Sequence, residues 1–179
     1  MINWTFYPHN KEIPAQLKEV VDAFSNVSKK ISSFEEKTSA LPSNSVLSIV
    51  RPNLEKLGYE VEKRQKEDGE SKRICVPVLY GKNGQTEKSF VVDAYSESNR
   101  TVVEVEAGRG VTNYQFLKDF YEACMMSEKV SYFCVAVKNK YQTKSGSKND
   151  YDEVCKFFEA WFLNSSIQTP LDGVLVIGY

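Results

Sequence analysis

Three acidic side chains that could bind a metal ion lie within positions 90–109 of the sequence. In this stretch β-branched residues alternate with other residues on both sides of a polar turn at 96–100, which predicts two strands joined by that turn. Because successive side chains on a strand point to opposite faces, Glu104 and Glu106 share one face, and a strand pair in register brings Asp93 near them. Carboxylates this close repel one another unless a positive charge lies between them, and a hard divalent cation with oxygen ligands provides that charge. The stretch therefore predicts a metal site near one end of a sheet.

These acids and their spacing resemble the active-site signature of the PD-(D/E)xK nucleases, the restriction-endonuclease-like superfamily. Those proteins place an Asp near the end of one strand and a (D/E)xK tripeptide on the next strand, and this sequence has Asp93 followed by Glu104-Val105-Glu106. The resemblance extends to the predicted order of elements over about 46–137, which is a helix, several strands, the acidic strand, a helix and a strand. It implies an α/β fold with a mixed β-sheet flanked by helices, and hydrolysis of phosphodiesters with bound magnesium.

The resemblance also implies a role for each acidic residue. Asp93 and Glu104 are expected to bind Mg²⁺ or Mn²⁺, which take oxygen ligands. Glu106 stands where the family pattern has Lys, although some type II restriction enzymes also carry Glu at that place. It is expected to hold or deprotonate the attacking water, or to add a metal ligand. A positive group is then expected from Arg109, after the strand, or from Lys118, one turn into the next helix.

Two further residues are candidates for the same site. Glu55 lies near the end of the predicted helix before the sheet, where an acidic residue often joins the metal site in the resembling nucleases. The alternative for Glu55 is an ordinary solvated charge on a helix. Gln115 is either a contact to the site and its nucleic acid or only the partner of Thr112 in a capping box. The helix N-terminus near Thr112 would add unpaired N–H donors for a phosphate.

Two groups of basic residues are candidate contacts to DNA phosphates, which position a duplex without reading its sequence. The first group lies in a stretch of Gly, Ser and Asn that can fold around a groove or can remain a solvated loop; it comprises Lys138, Lys140, Lys144 and Lys148. The second group lies in a predicted hairpin and comprises Lys63, Arg64, Lys66, Lys72 and Arg73. The net charge of −1 counts modestly against a nuclease, because many nucleic-acid-binding proteins are basic.

The elements that position these residues are expected to form a single domain over 1–179, with an N-terminal helical segment at 1–40 and a sheet core at 44–179. This length is enough for one hydrophobic core, and a content of 41% hydrophobic and 26% charged residues is typical of water-soluble globular proteins. The sequence contains no apolar run of membrane-spanning length and no secretory signal at its start, so no membrane association is expected. The four cysteines form no CxxC pair, which argues against structural zinc and fits a cytoplasmic location.

The N-terminal segment is expected to contain a long helix over about 14–36. Apolar residues recur there at alternating steps of three and four, which is the period of a helix seam. They are Leu17, Val20, Phe24, Val27, Ile31 and Phe34. The seam either packs on the protein's own core or forms the contact of a homodimer, and a symmetric dimer would suit an enzyme that cuts both strands of a twofold-symmetric site.

The remaining patterns predict helices and strands around the acidic stretch. Pro52 is expected to kink or divide the second helix, and a Lys-rich stretch at 138–149 is expected to be a mobile loop. Helices are predicted at about 45–57, 112–126 and 150–164, and strands at 59–64, 73–80, 130–137 and 171–179. The helix at 112–126 is expected to connect two parallel strands in a right-handed crossover.

The sequence thus favours a divalent-metal-dependent DNA endonuclease that hydrolyses phosphodiester bonds, such as a type II restriction enzyme, acting on duplex DNA as a homodimer. A second interpretation is a catalytically inactive protein of the same fold that binds nucleic acid or a protein partner, and the missing motif Lys supports it. A third is an unrelated α/β interaction module that assembles through its seam helix. The single histidine, His9, lies far from the acids in the sequence, which disfavours histidine-dependent nucleases and triad hydrolases.

Overall fold

The structure is a computed structural model that describes residues 1–64, 71–108, 111, 113–143 and 146–179. Within these residues the strands are β1 (Asn3–Tyr7), β2 (Glu60–Val61), β3 (Ile74–Tyr80), β4 (Thr86–Val92), β5 (Ala94–Ser96), β6 (Thr101–Val105), β7 (Tyr132–Val137), β8 (Tyr141–Thr143), β9 (Gly146–Lys148) and β10 (Gly173–Gly178). The helices are α1 (Ala15–Ser25), α2 (Ser28–Ile31), α3 (Glu36–Ser39), α4 (Ser43–Lys56), α5 (Gln115–Met125) and α6 (Asp150–Leu163).

A mixed sheet of six strands lies at the centre of the part of the chain that the structure describes, in the order β1-β10-β7-β6-β5-β2. The three middle strands β10, β7 and β6 run parallel, and the strands on either side of them pair antiparallel. α1 and α4 pack on one face of the sheet, and α5 and α6 pack on the other. This arrangement confirms the predicted α/β class with a mixed sheet flanked by helices, and it explains why the strand predicted at 130–137 is apolar throughout.

Two helical crossovers connect the parallel strands. α5 joins β6 to β7, and α6 joins β7 to β10. The parallel connection predicted through the helix after the acidic strand is therefore confirmed. Because β6, β7 and β10 are parallel, their carboxyl ends all lie at the same edge of the sheet. Ligands of open α/β sheets commonly bind at this edge.

The acidic stretch forms two strands, but the first of them is shorter than predicted. β5 and β6 pair antiparallel, with Ala94 opposite Val103 and Ser96 opposite Thr101. Before β5 the chain belongs to β4, which pairs only with β3 in a separate two-stranded sheet. Asp93 is the residue between these two strands. It therefore stands where the chain passes from one sheet to the other.

The prediction of one long N-terminal helix is wrong. α1 ends at Ser25, and the short helices α2 and α3 follow instead of a continuation. The backbone leaves helical geometry at Val27, with φ −116° and ψ 9°, in a sequence of Asn, β-branched Val and Ser that favours helices poorly. Beyond the break, Ser33 Oγ donates a hydrogen bond to the carbonyl of Tyr179. This contact with the end of β10 is incompatible with a straight helix directed away from the sheet.

The apolar seam nevertheless packs on the protein's own core, as one of the two interpretations predicted. Leu17, Val20, Phe24 and Ile31 each have 0% exposure, within the cluster that joins α1 and α4 to the sheet. Phe34, beyond the break, is exposed. Since the seam side chains are already covered within one chain, a homodimer would need another surface, and the homodimer itself stays a prediction.

Two loop-like stretches contain more structure than predicted. The segment expected to be a mobile loop at 138–149 contains the antiparallel pair β8–β9, and its first two residues are buried. The first residues of the chain, which carry no strong sequence signal, form β1 at the edge of the sheet against β10. The pattern missed β1 because its partner β10 is distant in the sequence. It missed the local pair β8–β9 because this Lys-, Ser- and Gly-rich stretch has no apolar alternation.

The helix predicted at 45–57 is present as α4, but Pro52 does not divide it. Pro52 is exposed, so water can hydrate the carbonyl that the proline nitrogen leaves without an N–H donor. In the described parts of the chain, no helix has both the length and the apolar character needed to cross a membrane.

Candidate functional site

The three acids predicted from the sequence lie at one edge of the sheet, around the carboxyl end of β6. Val102 packs in the cluster with α5 and α6, so alternation along the strand puts Glu104 and Glu106 on the face that α5 covers. Glu106 follows β6 directly, and its N–H donates to the carbonyl of Ala136 at 2.8 Å, which continues the ladder with β7. Asp93 reaches the same place from the junction between β4 and β5.

Asp93 is attached to the acidic strand through its side chain. Its Oδ2 accepts from the backbone N–H of Val105 at 2.8 Å. Hydrogen bonding by the backbone of Asp93 also opposes the rise in the pKa of Glu104. The Asp93 side chain thus pairs with a strand N–H that lies beyond the last β5–β6 backbone pair, and this fixes the carboxyl group beside Glu104.

Burial and mutual repulsion raise the pKa values of all three acids. The pKa of Asp93 is raised to about 7, chiefly by burial and then by the charges of Glu62 and Asp119, against the opposing hydrogen bond from Val105. Burial raises the pKa of Glu104 well above its usual range, and the charge of Asp93 adds to this effect. Without a cation these carboxyl groups therefore retain protons near neutral pH.

The pKa of Glu106 is raised to about 8. Burial is the largest cause, followed by the charge of Asp119 and by a hydrogen bond between the two carboxyl groups. A hydrogen bond between two carboxyl groups requires a proton on one of them, which stabilises the protonated form of Glu106. A group with a pKa near 8 can give or take a proton at neutral pH.

Asp119 is an acid of this site that the sequence interpretation missed. Its side chain is only 6% exposed, and its Oδ1 accepts from Lys118 Nζ at 2.7 Å and from Gln115 Nε2 at 3.3 Å. Its Oδ2 is buried, and no N–H or hydroxyl group of a described residue donates a hydrogen bond to it. A sequence signal existed, because Asp119 lies between Phe116 and Phe120 on the apolar side of an amphipathic helix, where a carboxylate is unexpected.

Glu62 is a second acid that the sequence interpretation missed. It follows β2 and is 8% exposed, and its N–H donates to the carbonyl of Asp93 at 2.8 Å. Its carboxylate pairs with Arg64, at 3.3 Å from Nε. No sequence pattern indicates Glu62, because its position depends on pairing between β2 and the distant β4–β5 junction.

Lys118, one of the two predicted sources of positive charge, forms ion pairs with two acids of α5. Its Nζ lies 2.7 Å from Asp119 Oδ1 and 3.1 Å from Glu122 Oε2. Burial lowers the pKa of Lys118, but its hydrogen bonds and charge interactions with these two acids outweigh that effect and raise it. The charge of Lys118 in turn lowers the pKa values of Glu104 and Glu106, although burial and the neighbouring acids outweigh it.

Comparisons with protein-family models, with curated proteins and with solved structures found no match. The resemblance to nucleases therefore rests on Asp93, Glu104 and Glu106 and on the order of the elements around them.

Two predicted members of the acidic site lie elsewhere or outside the described residues. Glu55 is exposed on α4, which covers the opposite face of the sheet. It is thus a solvated helix charge, and Glu62 is the acid that reaches Asp93 from the N-terminal side. Arg109 lies outside the described residues.

The predicted capping box pairs Gln115 with Thr112, which lies outside the described residues. α5 begins only at Gln115, after Tyr114 in a left-handed conformation with φ 54° and with no side-chain cap. Gln115 uses its side chain on Asp119 instead. The left-handed residue breaks the helical path before Gln115, so the helix starts about one turn later than its apolar pattern indicates.

The nucleic-acid contact predicted at Lys138 is wrong. Lys138 is 4% exposed, its Nζ donates to the carbonyl of Ser39 at 2.6 Å, and burial lowers its pKa. It directly follows β7, and the alternation of that buried strand turns it toward the face of α1 and α4. Lys140 is partly exposed, with its backbone N–H bonded to Ser33 Oγ, and Lys144 lies outside the described residues.

The donor atoms at the site fit a hard divalent cation, although they are not arranged as a complete cage. As the side chains stand, no group of three or more His, Cys, Asp or Glu among the described residues could hold a metal ion. Mg²⁺ commonly uses only one or two protein carboxylates and completes its coordination with water and substrate phosphates. The interaction of the Glu106 and Asp119 carboxyl groups and the raised pKa values of Asp93 and Glu104 are features that a nearby cation would relieve.

Proposed function

We propose that this protein is an Mg²⁺-dependent (or Mn²⁺-dependent) endonuclease that hydrolyses phosphodiester bonds in DNA. The observation that carries the proposal is the convergence of buried and partly buried acids from three places in the fold: Asp93 at the β4–β5 junction, Glu104 and Glu106 at the end of β6, and Asp119 on α5. Folding brings these like charges together at an energetic cost, and such clusters of perturbed acids are characteristic of functional sites.

The order of the elements supports the same proposal. α4 precedes β2, β5 and the acidic strand β6, and α5 and β7 follow. This is the order implied by the resemblance to PD-(D/E)xK nucleases. The acids lie at the carboxyl end of β6, where a substrate can approach an open sheet edge.

Each group in the site has a chemical task in this proposal. Asp93 and Glu104 would hold the cation, and a bound Mg²⁺ supplies positive charge for the phosphoryl oxygens and lowers the pKa of water. Glu106, whose pKa is near neutral, accepts a proton from the attacking water. Lys118 supplies the positive charge that the motif Lys would have supplied, as a point charge beside the site.

Incubation of the purified protein with supercoiled plasmid and linear duplex DNA, with MgCl₂ or MnCl₂, tests the proposal. Wild-type protein is expected to cleave DNA, and EDTA is expected to stop cleavage. Asp93→Asn and Glu104→Gln are expected to lose on the order of 100-fold or more in rate, since about 2.7 kcal/mol of transition-state stabilisation corresponds to that factor.

Glu55→Gln is the matched control, because it makes the same change on an exposed helix across the sheet. It is expected to cleave like the wild type. Cleavage that persists undiminished in Glu104→Gln would indicate a contaminating nuclease, and a wild type without cleavage of any tested DNA would reject the enzymatic proposal.

A second candidate is an inactive protein of the same architecture that binds nucleic acid or a protein partner. Glu106 in place of the motif Lys favours it, as does the lack of a complete metal cage among the described residues. DNA binding without cleavage under every divalent-metal condition would support nucleic-acid binding by such a protein.

A further inference from the structure

A positively charged cleft opens beside the acids. Its volume is about 860 Å³, within the range of ligand-binding clefts. Its walls come from the first half of α4, the residues after β2 and the residues before β3. The described lining residues are Pro42, Asn44, Ser45, Leu47, Arg51, Glu62, Lys63, Arg64, Ser71 and Arg73.

The charges of the described lining residues are strongly unbalanced. Arg51, Lys63, Arg64 and Arg73 are cationic, and Glu62 is the only carboxylate among the described lining residues. Arg64 and Arg73 are exposed to solvent, whereas Glu62 is buried. The cleft is therefore positive where a ligand would enter, although the net charge of the whole chain is −1.

The cleft is connected to the acidic site through Glu62. The backbone of Glu62 is hydrogen-bonded to Asp93 on one side, and its carbonyl accepts from Arg51 Nη2 at 3.0 Å on the other. Arg64, which pairs with the Glu62 carboxylate, also lowers the pKa of Asp93, although burial of Asp93 outweighs this. An extended ligand lying in the cleft would therefore lead toward the acids.

The chemistry of the lining indicates what kind of ligand fits. Cations from three separate elements suit a ligand that carries several spaced negative charges better than one small anion. Pro42, Asn44 and Ser45 belong to the N-terminal end of the 14-residue helix α4, where the helix dipole adds positive potential. The described lining residues include no aromatic side chain on which bases could stack.

We propose that this cleft binds the sugar–phosphate backbone of the nucleic acid on the Glu62 side of the acids, without reading its sequence. The inference deepens the proposed function and rests on it. In this arrangement Lys63, Arg64 and Arg73 hold the strand through its phosphates, and the acids act on a phosphate at the end of the cleft. Phosphate contacts of this kind fix position and carry no base information.

Fluorescence anisotropy with a labelled duplex oligonucleotide of mixed sequence in EDTA tests the inference separately from catalysis. Lys63→Ala and Arg73→Ala are each expected to weaken binding by roughly fivefold at moderate salt and to reduce the slope of log K against log salt by about one. Neither residue forms an ion pair with a described carboxylate, so these variants break no such pair. Lys156→Ala, which removes an exposed lysine of α6, is the control and is expected to bind like the wild type.

The outcomes of this experiment and of the cleavage assay are distinguishable. Binding that depends on Lys63 and Arg73 in a protein that never cleaves supports the cleft and rejects the enzyme. Cleavage by the wild type with affinities and salt slopes in both variants equal to those of Lys156→Ala rejects the cleft and retains the enzyme. Absence of wild-type binding even at low salt, to duplex DNA and to matched RNA, rejects the cleft. Melting curves of the variants verify that each one is folded.

Discussion

At the scale of single residues, the acids of this site remain protonated at pH values at which ordinary surface carboxyl groups are ionised. Asp93 and Glu106 have pKa values of about 7 and about 8 because folding buries them among other acids. Such groups oppose folding once they are ionised, unless a cation compensates them. The same residues that are proposed to act in catalysis should therefore be visible in the stability of the protein.

The first prediction is that the free energy of unfolding decreases as pH rises from about 5 to 8. The folded protein holds protons on Asp93 and Glu106 that the unfolded chain releases near pH 4, so the unfolded state binds fewer protons and stability falls with pH. Each such group contributes at most about 1.4 kcal/mol per pH unit. Urea denaturation at several pH values measures the slope, and Glu106→Gln should flatten it.

Glu55→Gln again provides the control for this prediction. Because Glu55 is exposed, its removal should leave the pH dependence of the wild type unchanged. Parallel curves for Glu106→Gln and the wild type would show that Glu106 ionises normally, and they would contradict the role assigned to its raised pKa.

The second prediction concerns Glu104→Gln in the absence and presence of magnesium. Without the cation, the variant should melt at a higher temperature than the wild type at pH 8. Burial and the charge of Asp93 raise the pKa of Glu104 well above its usual range, so this acid opposes folding at a pH where the unfolded chain has released its proton. With MgCl₂ at 100 times the dissociation constant, the wild type should gain about 2.7 kcal/mol, and the variant should gain much less. Equal melting temperatures of the wild type with and without MgCl₂ would reject a metal site at these acids.

At the scale of elements, helix α5 brings both an acid and a cation to the end of β6. Asp119 is buried, and Lys118 is the cation paired with it. Gln115, one turn earlier in the helix, donates a longer hydrogen bond to Asp119 Oδ1, the oxygen that Lys118 also contacts. The helix therefore contributes to the site a buried acid from its apolar side, together with the cation and the amide group that pair with this acid.

The third prediction is that Lys118→Ala destabilises the protein and reduces its activity. The change leaves the buried Asp119 carboxylate without its closest cation, which should cost roughly 1–2 kcal/mol after allowance for the half-exposed position of Lys118. Lys156→Ala is the matched control, because it breaks an ion pair between Lys156 and Glu153 in which both side chains are exposed. It should cost less than about 0.5 kcal/mol. Equal effects of the two substitutions, measured by urea denaturation, would contradict the buried pairing of Asp119.

The elements that the sequence predicts well are those whose signals are local. The helix at 150–164, the turn after β3 with Asn83 at φ 58° and Gly84 at φ 71°, and the buried strand β7 all follow from periodicity or turn chemistry. The elements that it misses depend on distant partners: β1 needs β10, and the break after α1 accompanies a contact with Tyr179. The same division holds for the site, where Asp93, Glu104 and Glu106 follow from spacing but Glu62 requires the fold. Asp119 carries a local signal, its place on the apolar side of α5, that the interpretation did not use.

At the scale of the whole molecule, the acids and the apolar seam lie on opposite faces of the sheet. The face under α1 and α4 is a closed apolar layer that includes the seam, whereas the face under α5 carries the acids at its edge. The seam residues are therefore expected to determine stability and not assembly.

The fourth prediction is that Leu17→Ala lowers the stability of the monomeric fold. Leu17 has 0% exposure, and shortening a fully buried leucine to alanine typically costs 2–5 kcal/mol, depending on how far the surrounding residues close the cavity. Thermal melting measures the loss, and sedimentation velocity measures the mass of the folded fraction. A Leu17→Ala protein that is fully stable but changes from dimer to monomer would show that the seam is an assembly surface after all.

The hydrogen bond from Val105 to Asp93 affects the choice of an inactive variant. Alanine at position 93 would remove the carboxylate and also leave the N–H of Val105 without its acceptor, at a cost of about 1–3 kcal/mol for a buried donor. Any loss of cleavage in such a protein would mix damaged backbone pairing with missing chemistry. Asparagine keeps an oxygen that can accept from Val105, and it removes the negative charge. A crystal of the protein in complex with uncleaved DNA is therefore better sought with Asp93→Asn.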